Sequence, residues 1–212
     1  MKPLHYRIFV KAFFASGGIA LCILCINAWM GKEALFLWCN GNAGTTADGF
    51  FKWWSHMGEE YIWILLFVYL VAYQRHYLVL YFAALIASTL IVQVTKNWLL
   101  PNELRPFGAI TNHLLIHTVP GVKVHTLGSF PSGHTASAFT LFLLAALIFP
   151  LGRFWPMAFV GALLVGFSRV YLAQHFPLDA AAGMWVAILA SLIALFCHQQ
   201  YSKKQKLTNV SK

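Results

Sequence analysis

The chain has 212 residues, of which 59% are hydrophobic and 10% are charged, and its formal net charge is +9. Charged residues make up about 25% of an ordinary soluble domain, so this composition excludes a soluble globular protein and indicates an integral membrane protein. The positive charge does not indicate a nucleic-acid-binding protein, because the sequence has no contiguous basic face with interleaved aromatic residues.

Six apolar runs predict six membrane-spanning helices, since a span needs about 20 mostly apolar residues. In chain order they are residues 8–30, 61–74, 77–99, 135–150, 155–173 and 178–197, and the second and fourth are short. The first run could belong to a cleaved signal peptide, but it is longer than the ~7–15 apolar residues of a signal and lacks a good cleavage site, so we interpret it as a retained span. The sequence therefore predicts an all-α integral membrane protein with one domain over residues 1–212.

The distribution of charge predicts the orientation of these spans. An even number of spans puts both termini on one side, and that side carries nine of the 15 Lys and Arg residues and none of the six acidic residues. By the positive-inside rule, this side is cytoplasmic. We expect cytoplasmic tails at about 1–7 and 199–212 and outer loops at about 31–60 and 101–133, which in a bacterial inner membrane face the periplasm. The nine basic residues are Lys2, Arg7, Lys11, Arg75, Arg153, Lys203, Lys204, Lys206 and Lys212.

Ionisable residues are also found where the predicted spans meet the outer face. Charged groups at such depths are costly and usually mark a functional site. A lone lysine or arginine could instead extend its head group to the interface, but here residues from three parts of the chain converge on one membrane face, which favours a site. These residues are Lys96, His134, Arg169, His175 and Asp179.

The residue types of this group suit the binding and transfer of a phosphate. Lysine and arginine side chains donate several hydrogen bonds to phosphate oxygens, and two histidines allow one to attack or accept a proton while the other donates one. Asp179 follows His175 by four residues, so its carboxylate can hold the tautomer of that imidazole. Ser132 and Gly133 precede a helix that begins near His134, and they offer a hydroxyl and backbone N–H groups at its positive end.

These residues resemble the signature of the type 2 phosphatidic acid phosphatase superfamily. The signature consists of a lysine, six residues and Arg-Pro; then Pro-Ser-Gly-His; then Ser-Arg, five residues, His, three residues and Asp. The second part is matched by residues 131–134, and the third by Ser168, Arg169, His175 and Asp179 with both spacings kept. Taken alone, the four-residue second part is only modestly specific for this family. The second and third parts together, in the family order and on one membrane face, are a specific match. The six predicted spans resemble the membrane-bound branch of this family.

The resemblance implies a metal-independent lipid phosphatase that needs no cofactor. His175 would attack phosphorus to form a phosphohistidine, Asp179 would orient it, and His134 would protonate the leaving oxygen. The residues that would hold the phosphate are Lys96, Arg105, Ser132, Gly133 and Arg169. The sequence has no acidic cluster typical of a Mg²⁺ site.

The substrate implied by the resemblance is a lipid phosphomonoester or pyrophosphate in the bilayer. Undecaprenyl pyrophosphate, phosphatidylglycerol phosphate, phosphatidic acid and lipid A phosphates carry the same reacting group, and the sequence leaves the choice among them open, as it does the oligomeric state. The alternative from another class is an anion transporter or channel that uses the same cationic cluster, although we find neither the broken midplane helix nor the repeats of a transporter. Vanadate-dependent haloperoxidases share the site pattern, but they are soluble.

The first part of the signature departs from the family pattern. Eight residues, not six, separate Lys96 from Arg105-Pro106. On a continuous helix, residues nine apart point to opposite sides. Pro101 should end the helix near Leu100, however, and residues 101–104 could bulge and return Arg105 to the site. Glu103 stands where the family has its arginine, and we interpret it as a solvated group or a partner of a phosphate ligand.

The evidence for a functional role is weaker for the other histidines. His113 and His117 have a spacing that could present two imidazoles to zinc on a helix, but no third ligand is near in sequence, so we expect an outer loop there. His125 could approach the pocket from that loop. His56, with the neighbouring Glu59 and Glu60, could shape access for a lipid head group, although solvation at the membrane edge is the simpler interpretation.

Overall fold

The structure is a computed structural model that describes residues 4–210, and within them the secondary structure is helical except for one isolated β-bridge. Lys2 and Lys212, which the orientation argument counts, lie outside the described residues. The helices are α1 (Tyr6–Met30), α2 (Lys32–Cys39), α3 (Thr45–Ser55), α4 (Glu60–Tyr73), α5 (Leu78–Val94), α6 (Pro106–Ala109), α7 (Gly133–Ile148), α8 (Trp155–Tyr171) and α9 (Pro177–Val210). The prediction of an all-α protein is confirmed.

Local sequence explains several helix boundaries. Gly31 joins α1 to α2 with a φ of 82°, a backbone conformation that favours glycine. Pro106 and Pro177 are the first residues of α6 and α9, where a missing N–H costs nothing. A π-helical turn over Thr95–Leu99 follows α5, and the chain leaves the helix just before Pro101.

Helix α7 lies at the centre of the bundle. It is apolar on all sides, as a fully packed helix should be, and 12 of its 16 residues are buried. Helices α1, α5, α8 and α9 pack around it. The shorter α4 is peripheral, but Trp63 ties it inward by donating a hydrogen bond from its indole to Ser137 of α7 at 2.8 Å.

The six predicted spans all correspond to helices, and four of these are long and apolar enough to cross a membrane. The four are Tyr6–Met30, Arg75–Leu99, Gly152–Tyr171 and Pro177–Gln205. Helices α4 and α7, with 14 and 16 residues, are shorter than the ~20 residues of a full span. The length of the helices therefore identifies four candidate membrane spans.

Contacts between segments distant in sequence define the two ends of the bundle. At one end, the amide of His5 donates to the carbonyl of Leu147 at 2.8 Å. At the other, the side-chain amide of Asn40 donates to the carbonyl of Tyr171 at 2.8 Å. The segment 31–60, expected as an outer loop, belongs to this second end and is largely helical, because it contains α2 and α3. The residues of the phosphatase signature lie at the same end.

Candidate active site

A tight turn between α8 and α9 brings His175 back beside Arg169. The carbonyl of Arg169 accepts hydrogen bonds from the amides of Gln174 at 2.9 Å and His175 at 3.1 Å. The His175 side chain is 2% exposed, and its Nδ1 lies 3.3 Å from Oδ2 of Asp179. This contact orients the imidazole so that Nδ1 faces the carboxylate and Nε2 faces away from it, as a nucleophilic histidine requires.

The Asp179 carboxylate is itself held in place from two sides. It stands in the first turn of α9, and its Oδ2 accepts a hydrogen bond from the amide of Phe176 at 2.9 Å, as an acidic residue does in a capping box. The hydroxyl of Ser129 donates to the same oxygen at 2.5 Å. A carboxylate fixed in this way holds the His175 ring without a large loss of side-chain entropy at each turnover.

The surroundings of His175 keep its imidazole neutral. Burial lowers the pKa of His175 well below its usual value, and the positive charges of Arg105, Lys96, Arg169 and His134 lower it further. A neutral imidazole has a free lone pair on Nε2, so it can act as a nucleophile at neutral pH.

Lys96 and Arg105 converge on one point in spite of their longer spacing. The Lys96 ammonium donates to the carbonyl of Gly128 at 2.9 Å, and Nη2 of Arg105 donates to the same carbonyl at 3.3 Å. Nη1 of Arg105 also donates to the backbone carbonyl of Gln174 at 3.2 Å and to its side-chain oxygen at 3.1 Å. The guanidinium therefore sits beside the residue that precedes His175.

The segment before Arg105 reaches this place by pairing with residues 126–129. The amide of Arg105 donates to the carbonyl of Thr126 at 2.8 Å, and the amide of Ser129 donates to the carbonyl of Glu103 at 3.1 Å. Between these two bonds, residues 104 and 127 form the isolated antiparallel bridge. The two additional residues thus form an extended turn, which agrees with the predicted bulge, and Glu103 contributes its backbone to the pairing.

Arg169 offers an unused hydrogen-bond donor. One of its terminal nitrogens donates to the hydroxyl of Ser55, whereas its buried Nε has no partner among the described residues. A buried donor without a partner costs about 1–3 kcal/mol, and an anionic ligand would recover this energy.

Ser132 and Gly133 form the start of α7. Ser132 is its N-cap, and its hydroxyl oxygen accepts from the Thr135 amide at 3.4 Å and the Thr135 hydroxyl at 2.8 Å. The first amides of a helix have no partner within it, so those of Gly133 and the next residue suit an anion. Helix α9 crosses close by, since a Cβ on Gly183 would lie 2.7 Å from the carbonyl oxygen of Ser132.

His134, the second residue of α7, faces a cavity of about 320 Å³ that is also lined by Glu59, Trp63 and Gly133. Its Nε2 lies 3.7 Å from a carboxylate oxygen of Glu59. This is an ion-pair distance rather than a hydrogen bond. Together with the residues described above, the structure brings all of the predicted site residues to one end of the bundle.

Two other predicted histidines lie outside this group. His113 stacks on Phe107 with ring centroids 4.0 Å apart, and Nε2 of His117 contacts Asp48 at 2.8 Å. His125 is exposed, but it lies near the cationic side chains of the site, because burial and the charges of Arg105, Lys123 and Arg169 lower its pKa. Within residues 4–210, no group of three His, Cys, Asp or Glu side chains could hold a metal ion, so the zinc interpretation of His113 and His117 gains no third ligand.

Three residues that support the site were not found from the sequence. Ser129 contacts Asp179, Gln174 contacts Arg105, and Ser55 contacts Arg169. Each is a buried polar residue, but small polar residues near a motif are common and have no distinguishing pattern. The position of Gln174 directly before His175 was the one available signal.

Comparison with known proteins places the chain in the family that its motifs resemble. A family model described as the PAP2 superfamily matches residues 77–205, more than half of the chain. The protein therefore belongs to the PAP2 superfamily.

Individual relatives agree with this assignment. An undecaprenyl-diphosphatase of Sulfolobus acidocaldarius is 31% identical over 163 residues, which cover 74% of this chain and 75% of that protein. A lipid A 1-phosphatase of Rhizobium etli is 35% identical over 74 residues, covering 32% and 31% of the two chains. The crystal structure of Aquifex aeolicus LpxE has a TM-score of 0.66 at 26% identity, covering 76% of this chain and 92% of that one.

Proposed function

We propose that the protein is a membrane lipid phosphatase that cleaves a lipid phosphomonoester or diphosphate through a phosphohistidine intermediate. The observation that carries the proposal is the buried His175–Asp179 pair beside three cationic side chains. Relatives named as an undecaprenyl-diphosphatase and a lipid A 1-phosphatase support lipid phosphates as the substrate class.

In the first half-reaction, Nε2 of His175 attacks phosphorus and a P–N bond forms. The bond between phosphorus and the leaving oxygen breaks, its electron pair goes to that oxygen, and His134 supplies the proton. Asp179 stabilises the positive charge that develops on the His175 ring. Lys96 and the two arginines, with the amides at the start of α7, hold the phosphoryl oxygens, and loss of one such donor costs about 10²–10³ in rate.

In the second half-reaction, water attacks the phosphohistidine. The P–N bond breaks with its electron pair returning to His175, and His134 accepts a proton from the attacking water. Inorganic phosphate leaves, and both histidines are restored to their starting states. Water is the only co-reactant that this sequence of steps consumes.

The proposed arrangement in the membrane is a single domain over residues 1–212 with six spans, both termini in the cytoplasm and the site at the outer face. The charge distribution supports this orientation, and flanking residues would extend α4 and α7 to the membrane surfaces. In a bacterial inner membrane the site would face the periplasm. A head group could then enter the site while its chains stay in the hydrocarbon.

Phosphate release by purified protein tests the proposal. In detergent with EDTA present, we expect release from at least one of undecaprenyl diphosphate, phosphatidylglycerol phosphate, phosphatidic acid and lipid A phosphate. His175→Ala should abolish release, and His113→Ala, which alters a histidine outside the site, should retain it. No release from any of the four lipids, or equal release by His175→Ala, would overturn the proposal, and phosphate binding without release would favour the anion-transport alternative.

A further inference from the structure

Glu59 occupies an unusual position for a residue that begins a helix. It is the N-cap of α4, yet its side chain makes no capping hydrogen bond. Its Oε1 instead lies 2.8 Å from Nδ1 of His56 and 3.7 Å from Nε2 of His134. The carboxylate therefore sits between two imidazoles, and one of them belongs to the site.

The surroundings of Glu59 keep it ionised. Burial raises the pKa of Glu59, but hydrogen bonds from Tyr61 and His56 and the charges of His56 and His134 outweigh this effect and leave the pKa below its usual value. Glu59 thus carries a negative charge over the whole neutral range. The Glu59 side chain is 22% exposed and that of His134 is 31% exposed, so solvent screens this pair only in part.

The other charges that face His134 are positive. Burial lowers the pKa of His134 to about 4, together with the charges of Arg169 on α8 and Arg105 on the extended turn, and His175 lies near enough to feel the charge of His134. Glu59 is the acidic side chain that opposes them on His134. Glu59 therefore offsets part of the effect of burial and of the two arginines, and it raises the fraction of His134 side chains that carry the proton donated in the proposed reaction.

We propose that Glu59 is a positioning residue for the proton donor, orienting the His134 ring and favouring its protonated form, while His56 and Tyr61 hold the Glu59 carboxylate. The assignment rests on the proposed function, in which His134 protonates the leaving oxygen. Residues 56–61 precede the part of the chain that matches the family model, residues 77–205. The support for the proton donor thus comes from a segment outside the matched region.

The consequence for the reaction follows from charge. Before P–O cleavage, the Glu59 carboxylate favours the imidazolium that donates the proton, and during hydrolysis it stabilises the imidazolium that forms again. Substitution by glutamine keeps the shape and removes the charge. Fewer His134 side chains are then protonated at a given pH, so the alkaline limb of the pH–rate profile should move to lower pH.

Site-resolved modification by diethylpyrocarbonate tests the assignment without requiring activity, because this reagent acylates neutral imidazole. The extent of His134 modification would be followed by peptide mass spectrometry across pH in wild type, Glu59→Gln and Glu59→Asp. We expect the midpoint pH of His134 modification to fall by about one pH unit or more in Glu59→Gln. In Glu59→Asp, which keeps the charge, the midpoint should lie between those of wild type and Glu59→Gln. Glu60→Gln, which removes a neighbouring carboxylate, serves as the matched control and should leave the midpoint unchanged.

Phosphate release by the same variants gives the second readout. With an active lipid substrate, Glu59→Gln should move the alkaline limb in the same direction and lower the rate about tenfold on that limb, with a smaller effect in His56→Gln. An unchanged His134 midpoint in Glu59→Gln, or an equal shift in Glu60→Gln, would overturn the assignment. Failure of wild type to release phosphate while the His134 midpoint shifts as expected would instead count against the proposed function alone.

Discussion

A single carboxylate oxygen organises the centre of the site. Oδ2 of Asp179 accepts from Ser129 at 2.5 Å and from the amide of Phe176 at 2.9 Å, and it lies 3.3 Å from Nδ1 of His175. The amide of Phe176 is fixed by the start of α9, so the carboxylate cannot rotate freely. Asp179 can then hold one tautomer of His175, which leaves Nε2 available to attack.

The low pKa of His175 predicts how activity changes as the pH is lowered. In the proposed reaction only the neutral imidazole attacks phosphorus, and a pKa below the usual histidine value keeps that form populated as the pH falls below about 6.5. Lys96 is one of the charges that lower this pKa. Lys96→Met should therefore raise the pKa of His175 and move the acidic limb of kcat/KM to higher pH, besides lowering kcat/KM overall.

The comparison is made on normalised pH profiles of kcat/KM with one lipid phosphate, because ionisation of the substrate affects wild type and variant equally. Lys52→Met provides the control. Lys52 is a partly exposed lysine that donates to the carbonyl of Pro120 at 3.4 Å, and its removal should leave the acidic limb in place. An acidic limb that does not move in Lys96→Met would contradict the electrostatic account of His175.

At the scale of secondary-structure elements, the extended turn before α6 decides whether the first part of the signature can work. Nine positions along a regular helix would turn Arg105 away from Lys96. The π-helical turn over Thr95–Leu99 and the pairing of residues 103–105 with 126–129 bring both side chains to the carbonyl of Gly128 instead. The same pairing leads the chain directly toward Pro131, so it positions two parts of the signature together.

Because the turn returns Arg105 to the site, we expect substitution of this arginine to reduce activity strongly, although its spacing from Lys96 differs from the family pattern. Arg105→Ala should reduce kcat/KM by about 10²-fold or more through loss of phosphoryl contacts, and Arg169→Ala should be at least as severe. Arg153→Ala is the control, because Arg153 lies in the turn between α7 and α8. Near-normal kcat/KM for Arg105→Ala, with Arg169→Ala inactive, would show that the role of the family arginine does not extend to Arg105.

At the scale of the whole molecule, the site is assembled at one end of a bundle built around α7. The start of α7 meets the start of α9 through the hydrogen bond from the Ser132 amide to the Asp179 carbonyl, at 3.0 Å. Helix α3 reaches the same end, where Ser55 accepts from Arg169. A site that joins the ends of α3, α7, α8 and α9 depends on their packing rather than on any one of them.

The proposed orientation predicts which end of the bundle is accessible from outside the cell. Single cysteines would be introduced as Lys123→Cys, in the segment beside the site, and Arg153→Cys, in the turn at the other end, after the four native cysteines are replaced. A membrane-impermeant maleimide should label Lys123→Cys in intact cells and Arg153→Cys only after permeabilisation. The reverse pattern would place the site at the cytoplasmic face.

Local sequence patterns are sufficient to predict the class of the protein and the residues at the centre of the candidate site. The apolar runs predicted the helices because the hydrophobic content of a membrane helix is a local property. The spacings from Arg169 to His175 and Asp179 predict that these residues meet for a similar reason, since a helix end and a short turn bring them together with little help from the rest of the chain.

The way in which the remaining groups reach that centre follows from tertiary packing. The position of Arg105 depends on pairing with residues 126–129, Ser129 reaches Asp179 across 50 residues, and Glu59 approaches His134 from a segment before α4. The sequence left these contacts open because each joins residues far apart in the chain. Their geometry follows from the packing of several helices and turns at once, which no local pattern specifies.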